Sequence, residues 1–321
     1  MQTSSSSTRT SDTSDLFLFV PDRDKLYFVE YNEDENRRED RPIIRISKRT
    51  IVNYFKGFWN ELLVLGSCSG LVCLTSTDRY CLLIRCGRLN IHIVNPITEE
   101  HFQLPNSVIP ESCGTITKRL YGFGFDVCKK EYKVVILLFY VPRKSKTIMS
   151  EMEMFSVGCN AWRRTTGIVP TILRNTSEES SHVFLNGSLH WVSVNSKSSG
   201  VAPLIVSLDL GREEFGVIQT PKSVVVNLDK YIHGCYPLGM LQKCLSLVDS
   251  SLDFIDIWVM KNDNGMKNWI KLFSIQRRLG PFLAYHSPLV PIKYQKNSEI
   301  LLRYKDKLVT YNADSNTSFS V

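Results

Sequence analysis

The residues that could act in catalysis are scattered along the chain, and none falls into a pattern that nucleophilic catalysis uses. A serine or cysteine nucleophile needs a base beside it and a third group that orients that base. The sequence has no Gly-x-Ser-x-Gly motif, and Ser69 lies in Cys68-Ser69-Gly70, where turn formation accounts for it. We therefore predict that the chain has no catalytic residue and is not an enzyme.

The histidines and cysteines also lack the spacing of a metal site. His92 and His190 lie in strand-like segments and are interpreted as sheet residues. The other four histidines are isolated in sequence: His101, His182, His233 and His286. Two cysteine pairs are five residues apart with no histidine at zinc spacing, Cys68/Cys73 and Cys81/Cys86. The sequence predicts no metal ligand.

Two further groupings are incomplete as cofactor or ion sites. Asp249, Asp253 and Asp256 form a local acidic group, but the central glycine of a calcium loop is absent. Gly122 and Gly124 lack the third glycine and the strand-to-helix context of a dinucleotide site. No cofactor is predicted.

The composition is that of a globular protein. The chain has 321 residues, of which 43% are hydrophobic and 22% charged. The longest apolar run, Val134 to Val141, is far shorter than the ~20 residues of a membrane helix, so no membrane contact is expected. Met1 to Asp15 is rich in Ser and Thr and has no apolar core of a signal peptide, so residues 1–15 are predicted to be a disordered tail. We expect a cytoplasmic or nuclear protein whose nine cysteines are reduced.

The formal net charge is +7, and the basic residues occur in short clusters. No nucleic-acid recognition motif accompanies these clusters. We therefore interpret them as solvated surface and predict no nucleic-acid partner.

The elements that carry these residues are short strands with period-2 alternation, and they recur in groups of four. In the clearest group, Asn186-Gly187 joins two strands, and Asn-Gly is a strong signal for a type I′ hairpin turn. Four strands follow one another in this group: His182–Leu185, Ser188–Val192, Leu204–Leu210 and Glu214–Thr220. Four similar groups cover Leu62–Leu104, Tyr121–Thr165, Pro237–Ile275 and Ile292–Val321.

The last hairpin of each group carries an aromatic residue after a polar turn. Successive members are about 50 to 60 residues apart, which is closer to the kelch period than to that of WD repeats. They are Phe102, Trp162, Phe215, Trp269 and Phe319. We predict that these side chains pack one group of strands against the next.

The N-terminal part supplies a sixth, irregular unit. Its three strands are predicted over Leu16–Val20, Lys25–Tyr31 and Pro42–Ser47. Six units of about four antiparallel strands predict an all-β, kelch-like β-propeller with six blades, formed by residues 16–321.

Several motifs resemble those of the plant F-box-associated domain (type 1), found in F-box/kelch-repeat and S-locus F-box proteins. Their order and spacing are kept from about Leu16 to the C-terminus. The motifs are Gly66-Ser67-Cys68-Ser69-Gly70-Leu71-Val72-Cys73-Leu74, Asn95-Pro96-Ile97-Thr98, Tyr121-Gly122-Phe123-Gly124-Phe125-Asp126, Glu131-Tyr132-Lys133-Val134-Val135, Phe184-Leu185-Asn186-Gly187-Ser188-Leu189-His190-Trp191, Asp256-Ile257-Trp258-Val259-Met260-Lys261 and Trp269-Ile270-Lys271-Leu272-Phe273.

The resemblance implies a division of labour. In this family an N-terminal F-box binds a Skp-type adaptor of a cullin–RING ubiquitin ligase, and the propeller captures a protein substrate. The F-box signature is not found before Leu16, so adaptor binding is expected only if an F-box is supplied upstream. The expected function is substrate recognition in a Skp–cullin–F-box ligase. The alternative is a free-standing interaction propeller without ligase recruitment.

The partner-binding residues are unknown at this point, but five long segments between strands are candidates. The basic segment Pro142–Ser150 suits an acidic partner, although a solvated loop would carry the same charges. The five segments are Asn106–Lys118, Pro142–Ser150, Pro170–Ser181, Asn195–Ala202 and Pro221–Tyr236.

Overall fold

The structure is a computed structural model that describes most of the chain beyond residue 15. The described residues are 16–22, 25–31, 44–45, 60–78, 90–98, 100–107, 114–166, 168–176, 182–194, 202–224, 236–250, 254–263, 266–276, 289–294, 298–304, 307–315 and 317–320. The predicted tail, residues 1–15, lies outside them and stays a prediction. No helix in these ranges has the length and apolar character needed to cross a membrane.

The described residues form β-strands and one short 3-10 helix, Thr171–Asn175. The strands are β1 (Leu16–Asp22), β2 (Lys25–Tyr31), β3 (Ile44–Arg45), β4 (Asn60–Cys68), β5 (Leu71–Asp78), β6 (Asn90–Val94), β7 (His101–Gln103), β8 (Thr115–Asp126), β9 (Glu131–Val141), β10 (Met149–Ser156), β11 (Ala161–Thr166), β12 (Val183–Leu185), β13 (Ser188–Ser193), β14 (Leu204–Asp209), β15 (Glu214–Gln219), β16 (Leu238–Leu241), β17 (Cys244–Ser250), β18 (Phe254–Asp263), β19 (Met266–Gln276), β20 (Leu289–Tyr294), β21 (Glu299–Tyr304), β22 (Lys307–Asn312) and β23 (Thr317–Ser320).

The chain divides into two compact units, Met1–Leu62 and Leu63–Val321. The first unit contains the sheet β1-β2-β3. Strands β1 and β2 pair antiparallel from Leu16 opposite Tyr31 to Asp22 opposite Lys25. This sheet has the three strands predicted for the irregular N-terminal unit.

Five four-stranded antiparallel sheets follow, in the orders β4-β5-β6-β7, β8-β9-β10-β11, β12-β13-β14-β15, β16-β17-β18-β19 and β20-β21-β22-β23. In the second unit, successive sheets enclose a hydrophobic core between them. The first strands of neighbouring sheets also lie against each other, as β12 does against β8 and β16 against β12. The all-β class and the propeller arrangement are confirmed, with five four-stranded blades where six units of about four strands were expected.

In strand β9, successive side chains point to opposite faces of the sheet and pack against the sheets on either side. Its residues from Lys133 to Tyr140 are all buried. Val134, Ile136 and Leu138 belong to the core shared with the preceding sheet. Val135 and Leu137 belong to the core shared with the next sheet. A strand with a blade on each side must be apolar on both faces, and this explains the continuous apolar run.

Short turns join the strands within each hairpin. Asn186 and Gly187 have φ angles of 49° and 76°, so the predicted type I′ turn is confirmed. Ser69 and Gly70 form a similar turn with φ angles of 48° and 80°. The turn explanation for Ser69 is therefore confirmed as well.

The recurrent aromatic residues do pack between sheets where the structure describes them. The indole nitrogen of Trp162 in β11 donates a hydrogen bond to the carbonyl oxygen of Pro105, which follows the last strand of the preceding sheet, over 2.6 Å. Trp269 in β19 makes the same kind of bond to Gln219, over 2.7 Å. Phe102 lies 6.3 Å from Phe155 of the next sheet, centroid to centroid. The side chain of Phe319 lies outside the described residues.

The predicted bounds of two loop segments were wrong. Pro142–Ser150 overlaps β10, which begins at Met149. Asn106–Lys118 was expected to be a loop, but β8 begins at Thr115, and its first residue pairs with Val141 at the end of β9. Ile116 is buried there. This part of the sequence is polar, but it forms a strand because it pairs with the long strand β9. The pairing shifts register between Ile116 and Lys118.

Candidate functional site

All five segments proposed as partner-binding leave the same edge of the sheets. In an antiparallel four-stranded sheet, the chain enters the first strand and leaves the fourth at one edge, and the turn between the second and third strands lies at that edge too. The segments at 142–150 and 195–202 connect second and third strands. The segments at 106–118, 170–181 and 221–236 connect one sheet to the next. We call this side of the second unit the loop-bearing edge.

The opposite edge carries the tight turns within hairpins. Cys128 and Lys129 at the β8–β9 turn donate backbone hydrogen bonds to the Asp126 carboxylate, over 2.9 and 3.1 Å. Gly211 and Arg212 donate in the same way to Asp209, over 2.9 and 2.8 Å. These turns are short and satisfied from within, so they are less suited to binding than the longer segments.

The β9–β10 segment is held in shape by its own hydrogen bonds. The backbone N–H of Ser145 donates to Pro142 over 3.1 Å, and that of Thr147 donates to the Ser145 hydroxyl over 3.0 Å. Gly114 packs against its base, since a Cβ on Gly114 would collide with the carbonyl oxygen of Val141. The side chains from Arg143 to Thr147 are exposed.

The β11–β12 segment contains the 3-10 helix and is anchored from below. Val169 and Leu173 are buried in the core between the second and third four-stranded sheets. The Ser193 hydroxyl at the end of β13 donates to the carbonyl of Ile172 over 2.5 Å, and the ammonium group of Lys118 donates to the carbonyl of Arg174 over 3.2 Å. The exposed side chain of Arg174 is therefore presented on a fixed backbone.

The β15–β16 segment begins with a turn in which the N–H of Val224 donates to Pro221 over 2.9 Å. Val224 is fully buried. Lys222 in the same turn is exposed. Of the segment at 195–202, only Ala202 is among the described residues.

The most deeply buried charges belong to a cluster between two sheets, away from the loop-bearing edge. The ammonium nitrogen of Lys133, with no exposed side-chain surface, lies 2.8 Å from Asp126 and 3.4 Å from Glu213. It also donates to the carbonyl of Leu210 over 2.7 Å. Glu213 is shared with Arg163 of the neighbouring sheet. Through these ion pairs the cluster joins β9 to the β14–β15 turn.

The two acids of this cluster are held in their charged forms. Burial alone raises the pKa of Asp126, but hydrogen bonds from Lys133 and from the backbone of Lys129, with the positive charge of Lys133, leave that pKa lowered. Burial also raises the pKa of Glu213, but the hydrogen bonds and positive charges of Arg163 and Lys133 outweigh this effect. The pKa of Glu213 is therefore lowered. Carboxylates fixed in this way are poor proton donors.

The four histidines among the described residues lie within a sheet or between neighbouring sheets. The Nδ1 of His190 lies 3.2 Å from the carbonyl oxygen of Val183, within its own sheet. The Nε2 of His182 accepts a hydrogen bond from the N–H of Phe123 over 3.1 Å. Burial lowers the pKa of His182 to about 4. His92 and His101 lie in neighbouring strands, with their ring centroids 6.2 Å apart. His233 and His286 lie outside the described residues.

The acidic and cysteine groupings lie only partly within the described residues. Asp256 is bound by Lys271 and by the Ser274 hydroxyl, both over 2.6 Å. Asp253 and the pair Cys81/Cys86 lie outside the described residues. Cys68 and Cys73 are free and buried, and burial raises the pKa of both thiols. In the part of the chain that the structure describes, no three His, Cys, Asp or Glu side chains are grouped so that they could hold a metal ion.

Sequence reasoning missed one property of the candidate site. It found the five segments but did not assign them to a common edge. The sequence does contain this information, because the position of each connection in the order of four strands gives the edge on which it lies. That count is reliable only when the grouping of strands into sheets is known, and the structure provides the grouping.

A family model described as the F-box associated beta propeller domain matches residues 15–318. Among curated relatives from Arabidopsis thaliana, F-box protein CPR1 is 28% identical over 78% of this chain and 61% of its own length. An F-box/kelch-repeat protein is also 28% identical, with the same shares covered. A third F-box protein is 28% identical over 96% of this chain and 75% of its own length. The chain thus spans 61% of the length of the first two relatives.

Two solved structures show a weak likeness. TolB from Acinetobacter baumannii has a TM-score of 0.45 and 10% identity, covering 97% of this chain and 64% of that one. An exo-beta-1,3-galactanase from Phanerochaete chrysosporium has a TM-score of 0.42 and 11% identity, covering 82% and 66%. Likeness of this strength does not bear on what the chain does.

Proposed function

The chain belongs to the family of F-box associated β-propeller domains, and we propose that it is the substrate-recognition module of an F-box-type subunit of a Skp–cullin–F-box ubiquitin ligase. The curated relatives with which it aligns are named as F-box proteins. In this role the propeller binds a protein substrate, and an F-box outside the present chain binds a Skp-type adaptor. The alternative of a free-standing interaction propeller receives no support from those names.

The observation that carries this proposal is the common edge of the five long segments. A receptor needs a surface that varies without disturbing the scaffold, and connecting segments on a rigid propeller provide one. The described parts of three segments are anchored to the sheets by hydrogen bonds and buried side chains. Preorganised segments lose less conformational entropy when a partner binds. We place the substrate on the loop-bearing edge.

Binding without catalysis is part of the proposal. The deeply buried charges around Lys133 serve to join two sheets, and the carboxylates of the cluster are kept ionised. Product release by the purified chain, in a panel of hydrolase substrates, would contradict this part. We also propose a cytoplasmic or nuclear location, which a fluorescent fusion of the full gene product tests.

The ligase role is tested by pull-down against Skp-type adaptors. The chain as given and the chain extended by the sequence that precedes it in the genome are compared in the same assay. We expect the extended form to retain the adaptor and the given form not to retain it. If neither form retains any adaptor, the ligase role is wrong for this protein.

A further inference from the structure

Four exposed basic side chains lie on two segments of the loop-bearing edge. Arg143, Lys144 and Lys146 belong to the β9–β10 segment, and Arg174 belongs to the 3-10 helix of the β11–β12 segment. We call these four residues the basic corner.

The two segments lie next to each other. The Ser150 hydroxyl at the end of the first segment donates to the carbonyl of Val169 in the second, over 3.1 Å. Ile148 packs against the same core cluster as Val169 and Leu173. The two segments are therefore neighbours on the loop-bearing edge, although Lys144 and Arg174 are 30 residues apart in sequence.

No acidic residue balances the basic corner among the described residues of its two segments, 142–150 and 168–176. In the sequence, Glu178 and Glu179 follow the second range and lie outside the described residues. Glu151 and Glu153, which follow the first range, are buried at 7% and 2% exposure. Tyr140 donates to Glu151 over 2.5 Å, and Arg164 donates to Glu153 over 2.9 Å. Their charge is thus engaged inside the sheet, beneath the corner.

The opposite edge of the same sheets differs. Its β8–β9 turn contains Lys129 and Lys130 followed by Glu131, and its β14–β15 turn contains Arg212 followed by Glu213 and Glu214. Both signs of charge occur there within a few residues. In the β9–β10 segment, by contrast, every charged residue from 142 to 150 is basic.

We infer that the basic corner binds an acidic segment of the substrate protein, rich in Asp and Glu and in extended conformation. The inference rests on the proposed function, because it specifies the substrate class for the same edge. Carboxylates form charge-assisted hydrogen bonds with Arg and Lys side chains, and a patch of one sign speeds the encounter with a partner of the other. The hydrogen bonds within and beneath the two segments fix the backbone that carries these residues before binding.

A peptide fits the corner better than a nucleic acid does. Proteins that bind single strands combine basic grooves with aromatic side chains on which bases stack. The described residues of the two segments include no Phe, Tyr or Trp. The corner therefore has the charge for an acidic ligand but no stacking surface for bases.

The test uses the chain as given and a fluorescein-labelled peptide of alternating Glu and Ser, followed by fluorescence anisotropy. A peptide of alternating Gln and Ser and a single-stranded oligonucleotide of equal length are measured in parallel. The test variant combines Arg143→Glu, Lys144→Glu and Lys146→Glu. The matched control combines Lys129→Glu, Lys130→Glu and Arg212→Glu, which changes the net charge equally on the opposite edge.

We expect the Glu-Ser peptide to bind with higher affinity than the Gln-Ser peptide. We also expect its affinity to fall as the salt concentration is raised. The test variant is expected to weaken this binding about tenfold, and the control less than about twofold. Circular dichroism of both variants must match the parent chain, and Arg174→Glu alone provides a milder second variant on the other segment.

Equal losses in the test and control variants, or no binding of the Glu-Ser peptide, would overturn the inference. Tighter binding of the oligonucleotide than of the peptide would overturn it in favour of a nucleic-acid surface. Adaptor binding by the extended chain does not depend on the corner. A failed peptide assay with intact adaptor binding therefore rejects this inference alone, whereas the reverse result rejects the ligase role alone.

Discussion

The imidazole Nε2 of His182 accepts a hydrogen bond from the backbone N–H of Phe123, 3.1 Å away, across two neighbouring sheets. The ring also fills the space above Gly66 of the sheet before them, where a Cβ would lie 2.5 Å from the Cε1 of His182. One side chain thus contacts three successive blades, and it does so in its neutral form.

This contact predicts a dependence of stability on pH. Burial lowers the pKa of His182 from 6.5 to about 4, so the unfolded chain binds a proton at a higher pH than the folded chain does. The free energy of unfolding should therefore fall as the pH falls from about 6.5 to about 4, by up to about 3 kcal/mol from this residue. Urea unfolding across this range measures the slope. His182→Gln should reduce the slope. An unchanged slope in His182→Gln would contradict the assignment.

Replacing the buried Lys133 should be severe. Lys133→Met removes the cation that lies 2.8 Å from Asp126 and leaves a buried carboxylate without its partner. We expect a loss of about 3–5 kcal/mol in the free energy of unfolding. Arg163→Met is the matched control, because Arg163 pairs with the same Glu213 but has 59% of its side chain exposed. That control should cost less than about 1 kcal/mol. Similar losses in both variants would show that burial is not the cause.

The same cluster predicts sensitivity to acid. The pKa values of Asp126 and Glu213 are lowered in the folded chain, so their contribution to stability is present above their unfolded values, 3.8 and 4.5, and is lost as the pH falls through the lower folded values. Thermal unfolding below about pH 4.5 should show a steeper loss in the parent chain than in Asp126→Asn. Parallel curves would argue against this origin of the acid sensitivity.

The β16–β17 turn should accept a stabilising substitution. Gln242 and Lys243 have φ angles of 52° and 60°, a left-handed conformation that costs most residues about 1 kcal/mol and suits Asn and Gly. Gln242→Asn with Lys243→Gly should raise the free energy of unfolding by about 1 kcal/mol. Lys261→Gly in strand β18 is the control and should lower it, because glycine gains nothing in an extended strand. A rise in both variants would exclude the turn as the reason.

The hydrogen bond from the indole of Trp162 to Pro105 should stabilise the contact between two blades. Trp162→Phe keeps an aromatic ring against Phe155, whose centroid lies 5.3 Å away, but removes the bond to Pro105. Trp258→Phe is the comparison, because the buried Nε1 of Trp258 has no hydrogen-bond partner among the described residues. We expect Trp162→Phe to cost about 1 kcal/mol more than Trp258→Phe in urea unfolding. Equal costs would mean that the bond contributes little.

The sequence by itself determined the strands, their grouping in fours and most turns, because these depend on local signals. The apolar run of β9 and the Asn186-Gly187 turn can be read within a few residues. Where local signals are weak the prediction was wrong, as at Thr115–Lys118, which is a strand because β9 pairs with it. The recurrence of aromatic residues also predicted contacts between blades, which Trp162 and Trp269 confirm.

Only the tertiary structure decided which distant residues meet. The position of Lys133 in an apolar strand gives no sign that its partners are Asp126 and Glu213, since Glu213 comes from the next sheet. Likewise the segments that carry Lys144 and Arg174 are neighbours because the Ser150 hydroxyl donates to the carbonyl of Val169. Contacts of this kind depend on how whole sheets stack. Stacking is fixed by the sum of many buried side chains on facing sheets, so no short stretch of sequence encodes it.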